Sequence, residues 1–209
     1  MHKLFPVGAF VLVGGQSQRM GRDKALLELH GQPLFLRTVE LLRPHVAEVT
    51  LLGPPARYAR FGIAVLPDRY PGRGPLAALC TGLESSPYEW NVFLACDLPF
   101  LEPRFLDFLL GQALGNDFEA VVPQTEDGWQ PLCAAYHRRC LPVMQQSLER
   151  GNAGIVDALP SLRVDALGPD TLGELSTCLR MFKNVNTPEE WEEVQRELRV
   201  VVPTAKISD

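Results

Sequence analysis

Short apolar runs alternate along the chain with longer segments whose apolar positions recur every three or four residues. The short runs at 9–13, 49–52, 63–66, 91–95, 120–122 and 132–136 predict buried strands, and those at 162–167 and 181–185 predict two later ones. The longer segments predict helices over 34–42, 75–83, 103–113, 138–149, 155–159 and 188–198. Prolines punctuate this pattern. Pro33, Pro75 and Pro103 fit helix starts, Pro44 a helix end, and Pro131 the beginning of a strand, where a missing N–H is tolerated. Pro142 fits only the first turn of its helix. Thr187 caps the last helix, with Pro188 at its first position and Glu189 and Glu190 favouring its N-terminus. Strands alternating with helices predict a mostly parallel, three-layer α/β sheet. Ligands of such sheets sit outside the carboxyl ends of the strands. Residues just after the apolar runs are therefore the first candidates for chemistry.

Composition narrows the classes. With 209 residues, 46% hydrophobic and 22% charged, one domain is expected over 1–199, followed by a tail at 200–209. The tail holds Pro203 and is expected either to be partly disordered or to pair as an edge strand. A formal net charge of −5 argues against general nucleic-acid affinity, so an anionic substrate must be held by local cations. Cys80, Cys96, Cys133, Cys140 and Cys178 form no C-x-x-C pair and are odd in number, which argues against a zinc site or a disulfide framework. Reduced thiols in a cytoplasm, most of them small core residues, are the simplest expectation. No run reaches about 18 consecutive apolar residues, and the N-terminus does not read as a signal peptide. His2, His30, His45 and His137 are scattered and read as surface or loop residues.

Three clusters follow apolar runs. The first is Leu12-Val13-Gly14-Gly15-Gln16-Ser17-Gln18-Arg19-Met20-Gly21-Arg22-Asp23-Lys24. Its glycines let backbone N–H groups approach phosphate oxygens, and Arg19, Arg22 and Lys24 add positive charge at the same mouth. The spacing gives neither a Walker loop nor a dinucleotide fingerprint. The second, Pro67-Asp68-Arg69-Tyr70-Pro71-Gly72-Arg73-Gly74-Pro75-Leu76-Ala77, is a loop running into a helix N-terminus, whose free N–H groups carry partial positive charge. In the third, Asp97 follows Ala95-Cys96 and precedes Leu98-Pro99. A carboxylate on that edge suits Mg²⁺, which takes oxygen ligands and keeps waters and substrate phosphates. Its structural alternative is a local Asx turn. A fourth run, Asn184-Val185-Asn186-Thr187-Pro188-Glu189-Glu190, is by itself only a good helix start.

Together, L-x-G-G-x-S-x-R-M-G-x-D-K at 12–24, C-D-x-P at 96–99 and N-V-N-T-P-E-E at 184–190 resemble the signatures of nucleotidyltransferases that activate small molecules with an NTP, most of all the molybdenum cofactor guanylyltransferases. The resemblance spans about 7–198. It implies a three-layer, mostly parallel Rossmann-like sheet of the nucleotidyltransferase type. It also implies transfer of GMP from GTP to molybdenum-bound molybdopterin, with pyrophosphate released and Mg²⁺ as cofactor. Residue by residue, Leu12, Val13, Gly14, Gly15, Lys24, Asp68 and Asp97 carry over to the nucleotide site. Arg19, Lys24 and Asp97 carry over to catalysis, Asp97 to the metal, and Asn184 and Asn186 to the acceptor side or metal-proximal contacts. The resemblance places Gly74-Pro75-Leu76-Ala77 near the base and Gln130-Pro131 beside the acceptor, with Trp129 either covering the pterin or simply packing. Val13 stands where the family usually has Ala, and residues 49–53 lack its base-side Asn, which leaves GTP against CTP open. The alternatives are a molybdopterin cytidylyltransferase, a sugar-phosphate nucleotidyltransferase, or a non-catalytic nucleotide- or cofactor-binding module. Retention of Lys24 and Asp97 argues against the last. Proteins that deliver or receive the cofactor are implied without being named; nucleic acid and membrane are not.

Overall fold

A computed structural model describes residues 4–14, 23–175 and 179–200. In chain order its elements are β1 (Phe5–Leu12), β2 (Glu28–Leu29), β3 (Gln32–Pro33), α1 (Leu34–Leu42), β4 (Val46–Leu52), α2 (Pro55–Tyr58), β5 (Val65–Leu66), α3 (Gly74–Ser85) and β6 (Trp90–Ala95). They continue with α4 (Pro103–Gly115), β7 (Ala120–Thr125), β8 (Gly128–Trp129), β9 (Cys133–His137), α5 (Leu141–Glu149), β10 (Val164–Leu167), α6 (Pro169–Leu175) and α7 (Pro188–Val200). The main sheet has eight strands, in the order β10-β7-β9-β6-β1-β4-β5, with β8 paired to β7. The pairs β10–β7, β6–β1, β1–β4 and β4–β5 are parallel, whereas β9 runs against both of its neighbours. The sheet is thus mostly parallel, as the alternation of strands and helices predicts.

Helices cover both faces, which is why the central strands read as continuous apolar runs. Val7, Ala9 and Val11 of β1 and Val92 and Leu94 of β6 pack with α1 and α4. Phe10 and Phe93, one step out of phase, pack with α3 and α5 on the opposite face. Their rings stack with centroids 5.0 Å apart. A satellite cluster joins Val185, Trp191 and Val194 at the start of α7 to Leu27, Leu29 and Leu34 around the β2–β3 hairpin. The register sets the chain exits level. Leu12 lies opposite both Leu52 and Ala95, and Leu52 lies opposite Leu66. Four segments therefore leave the sheet along one carboxyl edge.

Several elements differ from the sequence pattern. Residues 181–185 do not form a strand; Leu179–Phe182 is a 3-10 turn, and the apolar Met181 and Phe182 enter the core without strand pairing. The segment expected as a helix at 155–159 is a 3-10 turn, Val156–Ser161, because Pro160 lacks the N–H an α-helix would use. Residues 138–140 form a 3-10 turn before α5 begins at Leu141, which leaves Pro142 in the first turn of that helix. His45 does lie in the loop between α1 and β4, but it is buried there, 1% exposed, with Nδ1 2.8 Å from Asp107 Oδ1, and is not a surface histidine. Cys80, Cys96, Cys133 and Cys140 are buried and free. Cys178, His2 and the tail beyond Val200 lie outside the described residues. Among the described residues no helix is long and apolar enough to cross a membrane.

Candidate active site

The carboxyl edge gathers chemistry from three separated parts of the chain. After β1, the backbones of Gly14 and Gly53 touch: a Cβ on Gly14 would lie 3.3 Å from the Gly53 Cα, tighter than side chains ordinarily pack. Gly14 thus allows a close approach between two strand exits. The chain returns at Asp23, whose Oδ1 accepts the Ala25 N–H at 3.2 Å and caps the short turn Lys24–Leu26. Tyr58, fully buried on α2, places its hydroxyl 2.8 Å from the Val13 carbonyl oxygen and 2.7 Å from Asp23 Oδ2. One hydroxyl thereby ties together the two ends of the glycine loop. Arg57 adds a 3.1 Å ion pair to the same Asp23 oxygen. Gly15 and Arg19 fall between these two ends in sequence, outside the described residues.

Lys24 emerges from this capped turn and reaches Asn186 and Asp97. Its Nζ donates to Asn186 Oδ1 at 2.6 Å and lies 3.5 Å from Asp97 Oδ2. Asp97 stands just past β6, and its carbonyl accepts the Val185 N–H at 3.2 Å. The other carboxylate oxygen, Asp97 Oδ1, is buried and accepts no hydrogen bond. Burial pushes the Asp97 carboxyl above its ordinary range, while the Lys24 ammonium pulls it back. Burial also pushes up the neighbouring Cys96 thiol, and the Asp97 charge adds to that, so Cys96 stays protonated. An orphaned carboxylate oxygen suits a hard cation. Among the described residues no three His, Cys, Asp or Glu side chains come together as a metal cluster. That donor set fits Mg²⁺, which needs one or two carboxylates and fills its remaining positions with phosphate and water oxygens.

The remaining candidates lie around this mouth. Asp68 follows β5 on the same edge, about 10 Å along it from the end of β1 at the usual strand spacing. Its Oδ1 accepts the Tyr70 N–H at 2.9 Å and the Thr81 hydroxyl at 3.2 Å, which makes it an Asx turn stapled to α3. Gly74 has φ of +78°, and a Cβ there would sit 2.8 Å from the Ala153 carbonyl oxygen. The Leu76 N–H donates to that same oxygen at 3.1 Å, so this donor of the α3 N-terminus is already satisfied within the protein and is not free for a ligand. Because β9 runs backwards, Gln130-Pro131 at its start reaches the carboxyl edge. The Gln130 amide is held by Thr125 Oγ1 at 3.2 Å. Trp129 is half-buried and packs against the core face of α3 and α5. Asn184 is exposed and Asn186 half-buried. Leu12 and Val13 supply the backbone that enters the loop, with the Val13 N–H bound to Leu52 O at 2.9 Å.

Comparison with known proteins bears on what this edge belongs to. The profile of the MobA-like NTP transferase domain matches residues 9–164. The chain belongs to the MobA-like NTP transferase family. It is a nucleotidyltransferase. The probable molybdenum cofactor guanylyltransferase of Pelotomaculum thermopropionicum is 33% identical over 181 residues, 86% of this chain and 87% of the relative. The molybdenum cofactor guanylyltransferase of Desulfosudis oleivorans is 30% identical over 195 residues, 92% of this chain and 96% of the relative. In fold, the transferase is similar to the crystal structure of molybdopterin-guanine dinucleotide biosynthesis protein A from Archaeoglobus fulgidus, with a TM-score of 0.82 and 23% identity over 93% of this chain and all of that one.

Three contributors to the edge are given no site role by the motifs. Tyr58 has no sequence signal, because its partners are 45 and 35 residues away. Asp23 sits inside the first motif but reads there only as a neighbour of Lys24. Glu190 was visible as the fourth residue of Thr187-x-x-Glu190, the spacing of a capping box.

Proposed function

We propose that this transferase moves GMP from GTP to molybdenum-bound molybdopterin, forming the guanine dinucleotide cofactor and pyrophosphate. Two relatives that carry that name and align over most of the chain support the reading. The structural observation behind it is Lys24 Nζ 3.5 Å from Asp97 Oδ2 at one mouth, beside a buried carboxylate oxygen without a partner.

The acceptor's terminal phosphate attacks the α-phosphorus of GTP in line. A phosphate monoester is nucleophilic near neutral pH, so the site needs no dedicated base, and catalysis is positioning plus charge stabilisation. Backbone groups from Leu12 to Gly15 cradle the phosphates. Lys24 and Arg19 stabilise charge on the α-phosphate and on the leaving pyrophosphate. Asp97 would hold Mg²⁺, which when bound neutralises and aligns phosphate oxygens. Asp68 belongs to the nucleotide half and Asn184 to the acceptor half. Asn186 joins the two through its bond to Lys24. Four buried, unpaired thiols suit a reducing cytoplasm. Proteins that deliver or receive the cofactor complete the setting.

Pyrophosphate release by the purified protein, with molybdopterin acceptor and Mg²⁺ and with GTP, CTP or UTP in turn, tests the reading. GTP as the preferred substrate supports it. Faster turnover with CTP replaces it with cytidylyl transfer, and GTP binding without release from any NTP identifies a binding module.

A further inference from the structure

The last helix is wired into the mouth by a chain of contacts that the proposed reaction does not itself require. Glu190 Oε2 accepts the Thr187 N–H at 3.1 Å, and the Glu190 N–H donates to Thr187 Oγ1 at 3.2 Å. Those two bonds are a complete capping box, and helix capping needs nothing more. Yet the same Glu190 oxygen makes a shorter bond, 2.6 Å, to the N–H of Asn186, one residue further out. Asn186 is the residue whose side-chain oxygen holds Lys24 Nζ at 2.6 Å. On its other side, Val185 is 1% exposed, packed with Trp191 and Val194, and its N–H is bound to the Asp97 carbonyl. Asn186 is therefore fixed from both neighbours, by the core on one side and by a carboxylate on the other.

This fixing matters because of a distance. Lys24 and Asp97 stand 3.5 Å apart, longer than the 2.7–2.9 Å of a charge-assisted hydrogen bond. Two unlike charges in a largely buried mouth attract, and the 2.6 Å bond to Asn186 Oδ1 draws the ammonium away from a closed pair. A loosened Asn186 would let Lys24 close onto Asp97, which would remove the ammonium from the phosphates.

We propose that Glu190 is a positioning residue for Lys24: through the Asn186 backbone it holds the amide oxygen that keeps the ammonium poised over the phosphate site. The proposal rests on the reading of Lys24 as the phosphate-stabilising group. Two alanine variants separate positioning from capping, because each breaks a different half of the box. Thr187→Ala removes the bond to the Glu190 N–H and leaves the Glu190–Asn186 bond intact. Glu190→Ala removes the Asn186 anchor. Each is expected to lower Tm by about 2–4 °C, the usual effect of losing a cap in a chain of this size. Only Glu190→Ala is expected to lower kcat for GMP transfer, by about tenfold or more. Glu190→Gln, whose amide oxygen still accepts both N–H groups, is expected to recover to within about fivefold of wild type.

A substrate-free readout accompanies these rates: the ammonium signal of Lys24 in the ¹⁵N-lysine-labelled full chain. That signal should shift or broaden in Glu190→Ala and stay in place in Thr187→Ala. Equal kcat loss in both alanine variants, or an unchanged kcat and Lys24 signal in Glu190→Ala, overturns the proposal. If the wild-type protein transfers no GMP, the functional reading has failed, and the Lys24 signal alone still decides whether Glu190 positions it.

Discussion

Replacing Asp97 by Asn should cut activity sharply without costing stability. The carboxylate is largely buried, with 18% of its side chain exposed, and Oδ1 has no donor. An unsatisfied buried acceptor costs about 1–3 kcal/mol, and more when it carries charge. Against this stands the lost attraction of Lys24, which is smaller than the cost of burial, since the Asp97 carboxyl is raised on balance, and Lys24 keeps the Asn186 oxygen. The net change is roughly 0–2 kcal/mol in favour of the variant, a Tm equal to wild type or higher by up to about 6 °C at pH 7. Turnover should fall by about 10²-fold or more. The pH dependence has a definite sign. Burial raises the folded pKa of Asp97 above its unfolded value, so the ionised carboxylate costs stability above the folded pKa. That cost fades as pH falls through the folded pKa and is gone below the unfolded one. The Tm advantage of Asp97→Asn should therefore narrow as pH is lowered from 7. Transfer by the wild type should begin to fail at a higher pH than an ordinary carboxylate would give. Thermal unfolding of both proteins from pH 7 downwards, with GMP transfer measured alongside, gives both quantities. A drop in Tm of more than about 4 °C at pH 7 for Asp97→Asn would show that the carboxylate is a structural anchor, and the reasoning fails.

Lys24→Ala should cut turnover by about 10²-fold or more while the circular dichroism spectrum remains that of the folded protein; near-wild-type turnover would remove Lys24 from the mechanism. Tyr58→Phe deletes the hydroxyl shared by Val13 and Asp23, which should cost about 1–2 kcal/mol in urea unfolding and raise KM for GTP more than it lowers kcat. An unchanged KM would show that the glycine loop needs no tie. Gly82→Ala puts a methyl 2.6 Å from Phe93 Cε1 in the centre of one core face, and should cost about 1–3 kcal/mol by overpacking. Stability equal to wild type would mean that the Phe10–Phe93 stack can yield.

The general layout was legible because both faces of the central strands are buried. Residues 9–13 and 92–95 are apolar without a break. The failures have specific causes. Met181 and Phe182 are as apolar as strand residues but serve the core from a 3-10 turn, and periodicity does not tell these apart. The two-residue strands β2 and β3 carry no pattern at all. The reversal of β9 leaves no mark in its own composition. In the site, Lys24 and Asp97 were legible because each follows a strand exit, and the parallel register makes exits meet. The contact between Lys24 and Asn186 spans 162 residues, and no local spacing announces it. Asn186, expected on the acceptor side or in metal-proximal contacts, lies beside the Lys24–Asp97 pair.

Label transfer from [α-³²P]GTP tests the central claim most directly. With Mg²⁺ and molybdopterin acceptor, the wild-type protein should place label in the dinucleotide product and release unlabelled pyrophosphate, whereas Lys24→Ala and Asp97→Ala should each do so at least about 10²-fold more slowly. Label in the dinucleotide at near-wild-type rate from either variant, or no labelled dinucleotide from the wild type, would contradict the account of one mouth shared by these two side chains.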